Sequence, residues 1–157
     1  MSTLTWKPEF EFSLARMDDT HREFVHQLAA LERLSAGPPT ACRDALEDLL
    51  AHTVEHFGQE ERWMARLGFG TDTCHHLQHR SVLEVLREVQ RRLAAEGDAL
   101  DPEILPRFVQ ALAEWFPTHA LMLDAALAET MAERGLDPDS DLPAPEAATA
   151  PVTGGCG

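Results

Sequence analysis

Four stretches of this chain repeat apolar residues every three or four positions, and each carries histidine or a carboxylate on the apolar face itself. The first stripe runs Met17, His21, Phe24, Leu28, Leu31, and the second Leu46, Leu49, Thr53, His56, Glu60, Met64, Leu67. The third runs His75, His79, Val82, Leu86, Val89, Leu93, and the fourth Leu105, Phe108, Leu112, Trp115, His119, Met122, Ala126. A stripe of this period is the buried side of an amphipathic helix. Polar groups on it go into the interior with it, which few folds tolerate.

Punctuation divides the chain to match. Asp18 or Asp19 can cap a first helix that runs to about Leu34, where "SAGPP" breaks the pattern. Thr40 can cap a second, ending near Leu67 before Gly68. A third runs from about Thr73 to Glu96 and stops at Gly97. Asp101 with Pro102 opens a fourth that ends before Gly135, with Pro117 expected to free a carbonyl and kink it. Four long helices on short loops predict an all-α fold, an up-down-up-down antiparallel four-helix bundle over residues 1–135. Residues 1–17 read as an extended N-terminal arm, and residues 136–157, rich in Pro, Ala and Gly, as a disordered C-terminal tail.

That topology brings the polar positions together. His21 is early in helix one, His56 and Glu60 late in helix two, His75 and His79 at the start of helix three, His119 in the second half of helix four. In an antiparallel bundle these share one end, within about three helical turns at ~1.5 Å rise per residue. Burying them uncompensated would cost several kcal/mol each, a penalty that coordination to a cation removes. His56 with Glu60 and His75 with His79 are i,i+4 pairs that can each share a centre. Asp124 lies five residues beyond His119, about 140° around a 3.6-residue helix, and is expected to reach a second ion rather than chelate beside His119. Seven donors exceed one tetrahedral zinc. They suit two octahedral ions bridged by carboxylates, and redox-active iron fits this donor set better than magnesium or calcium.

With Trp6, "MDDTH" at 17–21, "HFGQEERWM" at 56–64, "HHLQH" at 75–79 and "WFPTHALMLD" at 115–124, the chain resembles the hemerythrin family, and within it the bacterial single-domain members. The resemblance covers roughly residues 4 to 133 and meets the family pattern of H, HxxxE, HxxxH and HxxxxD in order. It implies two iron ions per chain as an oxo- or hydroxo-bridged centre. One iron would be held by His75, His79 and His119, the other by His21 and His56, with Glu60 and Asp124 bridging both. It further implies that the two-histidine iron keeps an open position for dioxygen. Phe116, Leu28, Leu121 and Trp115 are then the candidate walls of the dioxygen pocket.

The expected function is reversible dioxygen binding for carriage, storage, scavenging or delivery, without a catalytic residue. The alternatives are a module that senses dioxygen, redox state or nitric oxide through a partner, and a di-iron peroxidase or oxidase. A net charge of −14, from 13 basic and 27 acidic residues, repels phosphate backbones and anionic lipid, so neither nucleic acid nor membrane is expected as a partner. No apolar run approaches the ~18 residues of a membrane span, and the N-terminus lacks the pattern of a secretory signal. Cys42, Cys74 and Cys156 form neither a disulfide framework nor a CxxC site, and read as thiols of a cytoplasmic monomer. Three histidines fall outside the set. His26 and His76 leave the stripe and are expected to be exposed. His52, one turn before His56, could be an outer donor, a competing ligand or a surface residue, and is taken as the last.

Overall fold

The structure is a computed structural model that describes residues 3–141 and 144. Helix α1 spans Ala15–Leu34, α2 Arg43–Arg66 and α3 Cys74–Glu96. The fourth helix of the bundle has three parts: α4 over Ile104–His119, a π-helical turn over Ala120–Asp124, and α5 over Ala125–Glu133. Among the described residues there is no strand, and no helix is long and apolar enough to cross a membrane. Helix α1 packs on α2 and on α4, and α2 packs on α3.

The helix ends show which local signals act. Thr73 caps α3, its side chain accepting the backbone N–H of His76, and Gly97 closes α3 at φ 56°, a conformation only glycine adopts freely. Elsewhere tertiary structure overrides the expected cap. Helix α1 begins at Ala15, three residues before Asp18, and the Asp18 carboxylate instead accepts the N–H of Phe12 at 2.8 Å. Thr40 lies in a 3-10 turn over Pro39–Cys42, and its hydroxyl donates to Asp98 at 2.6 Å, tying the first interhelical loop to the third. The N-terminal arm is not fully extended. It makes a 3-10 turn at Pro8–Phe10 and sinks Phe10 completely into the core.

Two apolar clusters fill the bundle. The larger holds Phe10, Phe24, Leu28, Phe57, Val82, Leu86, Leu112 and Phe116, among others. The smaller holds Met17, Trp63, Met64, Leu67, Leu127, Ala128, Met131 and Leu136. His21 lies between Met17 and Phe24, Glu60 between Phe57 and Trp63, and His119 and Asp124 between Phe116 and Leu127. A polar layer is therefore held between two dry ones.

The fourth stripe does not continue at 3.6 residues. Met122 is 68% exposed and Ala126 is also exposed, while Asp124, Leu127 and Met131 are buried. The π turn adds one residue to the repeat and moves every later buried position one place along. The beginning of the tail is docked: Leu136 joins the smaller cluster, the Trp63 indole donates to the Pro138 carbonyl at 3.1 Å, and Arg16 pairs with Asp139 at 3.0 Å. The remainder of the tail, residues 142, 143 and 145–157, lies outside the described residues. Finally, Cys74 is disulfide-bonded, whereas Cys42 is free and buried.

Candidate metal centre

Every helix of the bundle delivers donors to one point. Glu60, His75, His79, His119 and Asp124 place ligand atoms within 4.8 Å of one another, and so do His21, His56 and Glu60. All seven side chains are buried, and His21, His79 and Asp124 are fully so.

The carboxylates face both ways. Glu60 Oε1 lies 2.8 Å from His56 Nε2 and 3.5 Å from His21 Nε2, while its Oε2 lies 3.1 Å from His79 Nε2 and 3.3 Å from His75 Nε2. Asp124 repeats the pattern: Oδ2 is 3.2 Å from His21 Nε2, and Oδ1 is 2.9 Å from His75 Nε2 and 3.2 Å from His119 Nε2. One oxygen of each carboxylate thus belongs to a two-histidine half and the other to a three-histidine half.

The π turn is what brings Asp124 in. In an α-helix its five-residue spacing from His119 would leave it about 140° away. The Ala125 N–H instead bonds to the Ala120 carbonyl, the i→i+5 closure of a π turn. Five residues across that turn return to nearly the face that four reach in an α-helix, about 40° from the start. Asp124 consequently sits beside His119, contrary to the expectation from uniform α geometry.

Several of these short distances are not hydrogen bonds. His21 Nε2, His79 Nε2, His119 Nε2 and both Asp124 oxygens are buried without a hydrogen-bond partner among the described residues. Buried polar atoms that lie 3 Å apart yet do not align on each other are aimed at shared points between them. Native interiors rarely leave such groups unsatisfied. A donor set of five imidazoles and two carboxylates, gathered in two groups that share Glu60, fits cations bound there.

Electrostatics say the same of the metal-free protein. Burial lowers the pKa of His21 and of His75, but the close approach and negative charge of Asp124 and Glu60 outweigh it, raising each to about 9. Burial raises Glu60 and Asp124, and the surrounding histidines overcome it, holding both well below the usual carboxylate range. Without metal, protons stand in for cations.

The candidate walls divide. Phe116 is fully buried on the two-histidine side, stacked on Phe24 at 5.2 Å and edge-on to His21 at 5.4 Å. Leu28 is buried in the same cluster. Trp115 is half-buried on the other side, stacked on His119 at 4.3 Å. Leu121 is 42% exposed, because two residues past His119 a helical side chain points to the opposite face, away from the donors.

Further residues of the site were not anticipated. The Phe57 ring lies flat on His79 at 3.8 Å and 3°. Gln78 Oε1 accepts from His119 Nδ1 at 2.8 Å and from Trp115 Nε1 at 3.3 Å, and Glu61 accepts from His79 Nδ1 at 3.1 Å. Their only signal in sequence is adjacency to a ligand position. His52 is half-buried, not on the surface, and its Nε2 donates to the Thr20 carbonyl at 3.1 Å, fastening α2 to α1. His76, expected to be exposed, is buried with Nδ1 2.7 Å from the Thr73 hydroxyl, drawn back onto the cap of its own helix.

Comparison with known proteins identifies relatives of this chain. Residues 13–130 match the family model described as the hemerythrin HHE cation binding domain. A bacteriohemerythrin of Ralstonia nicotianae is 34% identical over 137 residues, covering 87% of this chain and 95% of that protein. Bacteriohemerythrins of Pseudomonas paraeruginosa and Pseudomonas aeruginosa are each 24% identical over 102 residues, covering 64% of this chain and 67% of theirs.

Proposed function

This chain belongs to the hemerythrin family, and from that premise we propose that it is a non-haem di-iron protein that binds dioxygen reversibly. The observation that carries the reading is the two-sided placement of Glu60 and Asp124, each with one oxygen toward either group of histidines. His75, His79 and His119 would hold one iron, His21 and His56 the other, and Glu60 and Asp124 would bridge them. Bound there, the iron pair supplies the electrons that reversible dioxygen binding needs.

The chain's own residues do the rest. His21 and His56 offer fewer donors than the opposite half, which leaves room for a small exogenous ligand on their side. Phe116 and Phe24 close that side with stacked rings, and the surrounding apolar cluster keeps water away from it. Carboxylate-rich di-iron bundles use Glu and Glu-x-x-His sets. Five imidazoles against two carboxylates favour binding over turnover, and carriage, storage, scavenging or delivery are the uses open to such a site. The first test is metal content. Anaerobic reconstitution with ferrous iron should give two irons per chain, and Glu60→Ala should give fewer than two. One zinc per purified chain, unchanged in Glu60→Ala, would overturn the reading.

A further inference from the structure

The two halves of the centre differ in what stands behind their histidines. A neutral imidazole binds metal through one ring nitrogen and carries its proton on the other. The acceptor for that proton fixes both tautomer and ring orientation. In the three-histidine half two of the three rings, His119 and His79, have built-in acceptors. Gln78 Oε1 takes His119 Nδ1 at 2.8 Å and is itself held by the Trp115 indole, a pure donor, at 3.3 Å. The indole thus keeps the amide oxygen, not its NH2 group, turned to His119. Glu61 takes His79 Nδ1 at 3.1 Å. Phe57 and Trp115 stack on the same two rings and fix their planes. In the other half His21 Nδ1 and His56 Nδ1 are buried with no partner among the described residues. Nothing there selects the tautomer that leaves Nε2 bare.

We propose that the centre fills in a fixed order, the His75–His79–His119 half first, and that Gln78 and Glu61 are the positioning residues that set this order. The inference rests on the two-metal reading above. A preorganised half binds its ion without reorienting rings or shifting protons between ring nitrogens. The other half becomes organised only once Glu60 and Asp124 are anchored from the far side. Outer acceptors of this kind alter metal affinity by roughly 10- to 100-fold. Neither Gln78 nor Glu61 is fully buried, so both can be changed without opening the core.

Cobalt(II) added to the metal-free protein tests this, followed by calorimetry and by the paramagnetically shifted proton signals of the ligand histidines. The first equivalent should shift His75, His79 and His119, and the second His21 and His56. Gln78→Leu and Glu61→Leu should each weaken the first step about 10- to 100-fold and merge it with the second. Gln78→Glu, which restores an acceptor, should recover the separation. Simultaneous filling in the unaltered protein, filling of the His21 half first, or variants with an unchanged first step would each overturn the proposal. Binding of fewer than two cobalt ions would instead overturn the two-metal reading beneath it.

Discussion

Replacing Phe116 by alanine separates the wall of the site from the site itself. The ring is 1% exposed and makes three aromatic contacts: stacked on Phe24 at 5.2 Å, edge-on to Phe10 at 5.4 Å and edge-on to His21 at 5.4 Å. Truncating a fully buried phenylalanine costs about 3–5 kcal/mol, cavity included. At roughly 2–4 °C per kcal/mol for a chain of this size, the melting point should fall by about 6–20 °C. Phe116→Leu keeps most of the volume and loses the ring contacts, each worth about 0.5–1.5 kcal/mol, so it should fall between. Neither variant removes a ligand, and both should load iron like the parent protein. What changes is access. The hole left by the ring admits water beside His21, and spontaneous oxidation of the dioxygen-bound protein to the inactive ferric form should accelerate, most in Phe116→Ala. The assay is the decay of the optical spectrum in air, with iron content and denaturation measured on the same samples. If both variants lose stability as stated yet oxidise at the parent rate, Phe116 is packing alone and the wall argument fails.

Three other outcomes follow from the geometry. In the metal-free protein, His21 and His75 are raised to about 9 in the fold, so their contribution to stability is complete below 6.5 and disappears as pH rises through about 9. Glu60 and Asp124 are lowered, so their contribution holds above 4.5 and 3.8 and is lost as pH falls toward their folded values. Burial lowers His52, His76 and His79, whose unfolded forms take up protons below 6.5 and so oppose stability there. Denaturation of the metal-free protein should therefore show highest stability at about pH 6.5, and metal uptake at pH 7 should release protons into unbuffered solution. Removing residues 137–157 takes away the Pro138 carbonyl that satisfies the Trp63 indole and the Asp137 carbonyl bonded by Arg66. That should cost about 1–3 kcal/mol in chemical denaturation without changing metal content; unchanged stability would show that the docked segment is idle. His75→Ala removes a donor that faces both carboxylates, and iron analysis should find less than two equivalents.

Much of this centre could be read from the chain because burial and polarity conflict there. A histidine or glutamate on an apolar stripe is conspicuous, and four stripes interrupted at one level leave little freedom in how they assemble. What could not be read has physical causes. Uniform 3.6-residue periodicity carried the fourth stripe through Met122 and Ala126, both exposed. The π turn that shifts it leaves only the unusual five-residue spacing of His119 and Asp124 as a trace. Thr40 looked like a helix cap, but Asp98 lies 58 residues away in sequence and no local pattern announces their bond. Leu136 and Pro138 dock through one side chain and one carbonyl, too little to make a period. Gln78 and Glu61 adjoin the stripes as ordinary polar residues, and only the packed helices show which imidazole each supports.

On the proposed function, this bundle holds a pair of irons which takes up and releases dioxygen. An anaerobic-to-aerobic optical titration of the ferrous-reconstituted protein tests it most directly. Admitting dioxygen should generate a charge-transfer band that saturates at one dioxygen per two irons and fades when the gas is withdrawn, through repeated cycles. A band that forms once and never reverses, or no spectral change with two irons bound, would contradict it.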